Sequence, residues 1–462
     1  MSPLAHILMK LGHRVSGSDL HVNTVISHLI QEGATVHVGH HQDHVGQPDV
    51  VVFSSAIKPD NVEYQRALEL GVALIPRSQL LADLMIRYHG IVVAGSHGKT
   101  STTALIYWAL NQLQQNPSTI FGGRFNHEPI SARFGEGPYM VVESDESDGS
   151  FLRLHPTVAV LTNIDREHTE HYGSFESLVA AFHAFLTKLP FYGFSVISSD
   201  CPHSVQAAAG ILGRILRFGF TQPADFWVER QDLPWHNGAY RSVSELKVHE
   251  TSRTPMVLQV HVCADHQVRN VLAAYAVLRG LGFEPDQLRS CFQTFPGVQR
   301  RLQNLTPHSE WVVVSDYAHH PTELAATLQG CQNLYPGPLT LVFQPHRYSR
   351  FTEHAATFAL VLKTHVHRLI ILPVYAASEK PNEWFFDCWE KWIASLKQAN
   401  FEFFHVCSTG SSPSLVDLLR TSAKPREPLL FCGAGDIHAT ALEVAKGLIS
   451  FPHEVQDPTF RV

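Results

Sequence analysis

Apolar residues along this chain fall into short runs of about four, separated by longer stretches with helical spacing, the pattern of strands alternating with helices. A helical stretch at 4–11 precedes a strand at 14–18 that runs into Gly17-Ser18-Asp19. A helix at 23–32, strands at 35–38 and 50–54, a helix at 60–70 and a strand at 72–75 continue the rhythm. Such alternation predicts a parallel sheet with helices on both faces. Strands are expected again at 139–143 and 158–162, and short alternating runs at 221–262 predict a small antiparallel subsheet. A helix at 266–280 closes that region. Beyond Pro296-Gly297, apolar runs at 311–315, 339–343, 368–372, 402–406 and 428–431 recur between helices as a further Rossmann-like unit. The fold class expected is α/β in three domains: 1–88, Rossmann-like; 89–296, with a mostly parallel sheet; and 297–462, Rossmann-like. The tail from Phe451 is expected to be poorly ordered.

The run GIVVAGSHGKTSTTALIYWAL at 90–110 reads as a buried strand, a glycine-bracketed turn and a helix. Gly95 and Gly98 let the turn take angles that a side chain forbids, so that backbone N–H groups and the helix N-terminus converge on one place. Such a cradle favours an anion, as in a triphosphate site. Lys99 would reach the β and γ phosphates, and the Thr100 hydroxyl would hold Mg²⁺. The longer G-x-x-x-x-G-K-[ST] pattern is not met, because Val93 stands where its first glycine belongs.

Composition narrows the class. A chain of 462 residues is long for one core. A net charge of −7 and a pI near 6.5 argue against nucleic-acid or membrane-surface binding. Seven cysteines without a C-x-x-C pair suggest neither disulfides nor zinc. With no export signal or apolar span, a cytoplasmic protein, monomer or homodimer, is expected. Among 30 histidines, the densest cluster, GHHQDH at 39–44, lies in a loop and reads as solvated histidines rather than a metal site.

Candidate chemistry gathers at strand ends. In MVVESDESDGSF at 140–151, Glu143 ends a strand and Asp145, Glu146 and Asp148 follow in the turn; a solvated charged turn is the competing reading. Ligands in α/β sheets collect at carboxyl edges, and a carboxylate there suits Mg²⁺. LTNIDREHTEHYGSF brings Asn163, Asp165 and His168 to that edge, with His168 a second candidate metal ligand and His171 a bystander. In the last unit, WVVVSDYAHHPTEL delivers Asp316, Tyr317, His319 and His320, and Pro321 opens a helix. LTLVFQPHRYSR delivers His346, Arg347 and Arg350, a pair of arginines able to hold a carboxylate or phosphate, unless they are simply exposed. Arg300 and Arg301 follow Gly297 at a hinge, from which they would reach nucleotide on domain closure. The glycine turn CGAGDI at 432–437 is a weak signal alone.

GSHGKTSTT, ESDESDGSF, TNIDREHTEHYGSF, SDYAHHPTE, FQPHRYSRF and GAGDI, in that order, resemble the Mur ligase family. The resemblance implies a UDP-binding domain, a central ATPase domain and a C-terminal amino-acid domain, in a cell-wall enzyme using ATP and Mg²⁺. It implies nucleotide contacts from Gly95, Ser96, His97, Gly98, Lys99, Thr100, Ser101, Asn270, Arg300 and Arg301, and metal contacts from Thr100, Glu143 and His168. It implies substrate contacts from Ser18, Asp19, Tyr317, His319, Arg347 and Arg350, with Lys99, His168, His319, Arg347 and Arg350 in catalysis. Ala264 and Gln267, around His266, depart from the family's G-x-H-N pattern ahead of Asn270. Ser147 and the FQPHRYSR segment are most similar to the branch that joins L-alanine to UDP-N-acetylmuramate in peptidoglycan synthesis. The branch that attaches a ready-made tripeptide, a noncatalytic nucleotide-binding remnant and a small-molecule kinase are the alternatives.

The family's opening strand and G-x-G-G-x-G loop would immediately precede the residues matching Met1-Ser2. Residues 1–11 align with the helix that follows that loop. The expectation is that Met1 is an internal methionine of a longer native chain; the alternative is a truncated protein that binds its UDP-substrate poorly.

Overall fold

The computed structural model describes residues 1–21, 24–125, 131–167, 169–232, 244–251, 253–262, 264–307, 309–335, 337–407 and 414–449. The tail expected from Phe451 and the metal ligand expected at His168 lie outside them. The chain divides into two compact units. The first comprises Met1–Gln231, Ser244–Val260 and His266–Val298, and the second is mainly Gln299–Val462.

The first unit opens with four short strands: β1 (Ser16–Asp19), β2 (Thr35–Val38), β3 (Val50–Phe53) and β4 (Ala73–Pro76). They do not join into the one sheet that their rhythm predicts. β1 pairs parallel with β2, β3 pairs parallel with β4, and among the described residues no ladder links the pairs. The reason is visible in β1, Ser-Gly-Ser-Asp, which has no apolar side chain to bury on either face, whereas interior parallel strands are apolar runs.

The rest of this unit is built on a ten-stranded sheet. Its strands are β5 (His89–Ala94), β6 (Ser118–Ile120), β7 (Ala132–Arg133), β8 (Tyr139–Glu143), β9 (Val158–Leu161), β10 (Phe194–Ser198), β11 (Arg214–Gly219), β12 (Phe226–Asp232), β13 (Ser244–Glu250) and β14 (Met256–Val260). Their order is β14-β13-β12-β11-β10-β9-β5-β8-β6-β7. From β12 across to β6 the pairings among the described residues are parallel, while β13–β14 and β6–β7 are antiparallel. The subsheet expected at 221–262 is therefore not separate: it extends the central sheet, because β12 takes up the parallel edge of β11. β5 lies between β8 and β9, and Ile91, Val92, Val93 and Ala94 are all fully buried. A strand covered on both faces needs such an unbroken apolar run. One face packs on Phe151, Phe182 and Phe185, with the rings of Phe182 and Phe185 centred 5.2 and 5.3 Å from that of Phe151.

The second unit holds β15 (Gln303–Asn304), β16 (Val312–Asp316), β17 (Thr340–Phe343), β18 (Arg368–Ile371), β19 (Phe403–Val406) and β20 (Pro428–Cys432) in the order β15-β16-β20-β17-β18-β19. All pairings but that of β15 are parallel. One buried cluster, with Leu324, Leu341, Phe343, Phe351 and Trp392, fills one face, and another, with Trp311, Ile370, Phe431 and Ile437, fills the other.

Truncating the fully buried Phe182 to Ala should open a cavity under the central sheet and lower stability by about 3–5 kcal/mol, read as a lower urea midpoint.

Candidate functional site

β5 ends at Ala94, and the chain turns through Gly95 to Gly98 into the helix Lys99–Gln112. Gly95 has φ +126°, and a Cβ there would lie 2.7 Å from the Asn163 carbonyl oxygen. Gly98, with φ +81°, occupies the position before the helix, and a Cβ there would strike the Asn270 side chain. Both positions thus need glycine for conformation and for space. No side chain caps the helix, so its N-terminal amides point into the turn.

The end of β9 braces the turn. Asn163 accepts from the His97 backbone N–H at 2.9 Å and donates to the His97 carbonyl at 3.0 Å, and Thr162 donates to the same carbonyl at 2.6 Å. The Ser96 hydroxyl accepts from the Asp165 amide at 2.9 Å, and the His97 ring meets the Asp165 carboxylate at 3.0 Å. Asn270, on the helix Asp265–Gly280, is buried and accepts from Thr102 at 3.3 Å. Ser101 is half-buried in the first turn of the helix.

The four acids at the end of β8 and in the turn beyond it divide into two that turn inward and two that turn outward. Asp145 and Asp148 are exposed and close local turns by accepting from the Ser147 and Ser150 amides. Glu143 accepts from the Thr100 hydroxyl at 2.8 Å and from the Gly122 amide at 2.5 Å. Glu146 is fully buried and lies 2.7 Å from the Lys99 ammonium, which also donates to the carbonyls of Gly95 at 2.6 Å and Ser96 at 3.2 Å. Burial opposes the charge on Lys99, but Glu146, Asp145 and Glu143 outweigh it and hold the ammonium well above its ordinary pKa. A hydroxyl and a carboxylate oxygen in contact form a hard-oxygen donor set of the kind that Mg²⁺ takes. The part of Glu146, and the brace by Thr162 and Asn163, are not apparent from the turn's composition; the carboxyl-edge rule for β9 is the signal that locates the brace.

In the second unit the carboxyl ends of β16, β17 and β18 bring together Tyr317, His319, His346, Arg347, Arg350 and Tyr375. The buried Asp316 accepts from the Leu302 and Ala318 amides at 2.7 and 2.8 Å, and burial raises its pKa. His319 lies 3.0 Å from the Tyr317 carbonyl and 3.2 Å from Glu323. His346 stacks on Tyr375 at 5.6 Å, meets His319 edge-on at 5.7 Å and faces the Arg350 guanidinium at 3.4 Å. Burial first, then His319, Arg350 and Arg347, lower the pKa of His346 to about 4, so it stays neutral and accepts from Arg350.

Arginines expected to hold a carboxylate, phosphate or nucleotide are engaged by groups of the protein. Arg347 donates to Glu379 at 2.6 Å, and Ser349 binds the same carboxylate through amide and hydroxyl. Glu379 escapes a motif-by-motif reading, although it follows β18 at the same carboxyl edge. Arg300 is held inside its own unit, donating to the Gly433 and Gly435 carbonyls at 2.8 and 3.1 Å with its guanidinium 4.5 Å from the Tyr317 ring centre. Arg301 lies 5.3 Å from the same ring centre. The weak signal at 432–437 thus gains a place, as the carbonyl cradle for Arg300.

At the N-terminus, Ser18 donates to Glu63 at 2.5 Å and lies 3.0 Å from His40, while Asp19 accepts from the His21 amide. The solvated-histidine reading of 39–44 fails for two residues. His40 and His44 are only about a fifth exposed and lie 3.5 and 3.3 Å from Glu63, because the helix Val62–Glu69 carries that carboxylate under the loop. His44 also stacks on His37 at 4.2 Å, whereas His41 is exposed.

His346 and His319 both resist protonation in the folded state. Between their ordinary pKa near 6.5 and the folded value of about 4 for His346, the unfolded chain binds more protons, so stability should fall as pH drops through that window. His346→Asn should flatten that slope in thermal melts taken from pH 7 to 4.

Three family models match the chain in sequence. They are described as "Mur ligase family, catalytic domain" over residues 1–89, "Mur ligase middle domain" over 93–278 and "Mur ligase, glutamate ligase domain" over 300–435. A UDP-N-acetylmuramate--L-alanine ligase of Aquifex aeolicus is 40% identical over 380 residues, 82% of each chain. One of Magnetococcus marinus is 36% identical over 97% of this chain and 94% of its own. Among solved structures, a UDP-N-acetylmuramate-alanine ligase of Thermotoga maritima covers 97% of this chain and 96% of its own, with a TM-score of 0.79 and 26% identity. A murein peptide ligase of Psychrobacter arcticus shares the fold, with a TM-score of 0.67 and 20% identity over 97% of this chain and 96% of its own. The braced glycine turn, the inward acids and the second sheet's cationic edge thus sit in a chain matched along nearly its whole length: it belongs to the Mur ligase family.

Proposed function

We propose that this protein joins L-alanine to UDP-N-acetylmuramate in an ATP-driven reaction of peptidoglycan synthesis, by way of an acyl phosphate. The observation that carries the reading is the uncapped helix N-terminus behind Gly95–Gly98, with Lys99 and Thr100 at its first turn and Glu143 against Thr100. The alanine-ligase relatives support the choice of substrate.

A carboxylate resists attack by an amine because its oxygens are poor leaving groups; phosphorylation supplies a better one. In this reading, Ser96, His97, Gly98, Lys99, Thr100 and Ser101 bind the phosphates of ATP, and the amides of the helix start face the charge that develops on the γ-phosphoryl group. Thr100 and Glu143 would hold Mg²⁺, with His168 a further ligand. The metal, when bound, neutralises phosphate charge. Lys99 keeps its proton and stays a fixed positive charge beside the transferred group. Asn270 lies at the adenine. The lactyl oxygen attacks the γ-phosphorus and ADP leaves; the alanine amine then attacks the acyl carbon and inorganic phosphate leaves.

Residues 1–88 would bind the UDP-substrate, with Ser18 and Asp19 among the contacts; 89–296 would bind ATP; and 297–462 would bind the amino acid. Arg350 and Arg347 are the cations for the alanine carboxylate, with Tyr317 and His319 beside them. Release of Arg347 requires its exchange of Glu379 for the ligand. Arg300 and Arg301, stacked on Tyr317, shape this edge.

Lys99→Ala should lower L-alanine-dependent phosphate release at least about a hundredfold, the usual loss on removing one preorganised charge stabiliser. Near-normal turnover would overturn the assignment of the cradle, and a preference for tripeptide over L-alanine would overturn the assignment of the substrate.

A further inference from the structure

We propose that Glu146 is a positioning residue for Lys99, an anchor that keeps the ammonium group at the cradle while its bonds to backbone carbonyls are exchanged for bonds to phosphate oxygens. The proposal rests on the reading of residues 95–101 as the ATP cradle.

An ammonium group has three donors. In this structure they go to Gly95 O, Ser96 O and Glu146 Oε2, so the protein itself satisfies all three. Two of the three acceptors are neutral carbonyls of the turn itself, and the bond to Ser96, at 3.2 Å, is the longest. These can be surrendered, since a loop carbonyl that gains access to water or ligand is readily satisfied. Glu146 is different. Its side chain is fully buried, and an ionised carboxylate deprived of its cation in such a place is strongly unfavourable. Lys99 therefore retains Glu146 and gives up the carbonyls.

The turn that carries Glu146 is itself fixed. The Tyr172 hydroxyl donates to the Glu146 backbone carbonyl, and the Gly149 amide donates to the same carbonyl at 3.0 Å. Leu161 and Glu143, which end β9 and β8, flank the cradle strand in the same sheet, so the anchor is referred to rigid backbone. The arrangement has a cost for binding: Glu146 offsets the positive charge that Lys99 offers to a polyanion. A residue that stays for binding strength alone would not be acidic; one that fixes the ammonium where charge develops can be.

This predicts a split between binding and turnover. Glu146→Gln removes the negative charge and weakens the anchor. A nonhydrolysable ATP analogue, measured by calorimetry with Mg²⁺, should bind at least as tightly as to the unaltered protein. The kcat for L-alanine-dependent phosphate release should fall about ten- to hundredfold. Tyr172→Phe leaves every charge in place and loosens only the turn, so it should show the same split in milder form, with kcat down about threefold and affinity unchanged. Should Glu146→Gln not fold, Tyr172→Phe decides. Unaltered kcat in either variant that folds would overturn the proposal. So would a parallel loss of affinity and kcat, which marks a residue that merely holds the loop's shape. Lys99→Ala separates the two readings. If Lys99→Ala is inactive while Glu146→Gln is normal, only the anchor fails; if Lys99→Ala turns over normally, the ATP cradle fails with it.

Discussion

A buried ammonium group at the positive end of a helix is the constraint on which the first unit depends. The helix Lys99–Gln112 presents roughly half a positive charge at its start, and Lys99 adds a full one in a nearly enclosed place. Without nearby negative charge this would be among the least stable spots in the fold. Glu146, Asp145 and Glu143 supply it, all delivered by one strand end next to β5 in the sheet. The acid-rich turn thus balances the positive charge of the cradle, quite apart from what it does with a ligand.

The second unit solves a similar problem by different means. Its carboxyl edge concentrates Arg300, Arg301, Arg347 and Arg350, and aromatic faces and neutral histidine share the work of satisfying them with carboxylates. Tyr317 lies against two guanidinium groups, His346 accepts from a third, and Glu379 holds the fourth. A ligand arriving there displaces protein partners as well as water. Its affinity is set by the difference between two sets of bonds.

Much of the fold is legible in sequence where each strand is a compact apolar run. The five parallel strands of the second unit begin and end within a residue of their expected places, since runs such as Leu-Thr-Leu-Val-Phe admit little else once both faces are covered, whereas the two-residue β15 is not among those expected. The helix Arg77–Met85 is not legible in that way. Its buried Leu81, Ala82, Leu84 and Met85 crowd together and leave no clear polar face. Nor is the division of the opening strands into two pairs, because strand pairing is a long-range property that periodicity does not encode. At the cradle, the glycines and Lys99 announce themselves by spacing. The roles of Glu146, Asn163 and Glu379 depend on which turn faces which, and that is decided by sheet order.

The network at Glu63 has a consequence for how the first 76 residues hold together. Among the described residues β1–β2 and β3–β4 share no backbone ladder, yet Glu63, on the helix after β3, reaches Ser18 on β1 and His40 and His44 beyond β2. The seam between the two halves is therefore stitched by side chains, and one carboxylate is the knot. A ladder resists shear through many equivalent bonds and is indifferent to acid. A seam gathered on a single glutamate, whose neighbours hold its pKa below the ordinary carboxylate value, is a fuse that weakens as acid protonates it while the sheets on either side keep their strength.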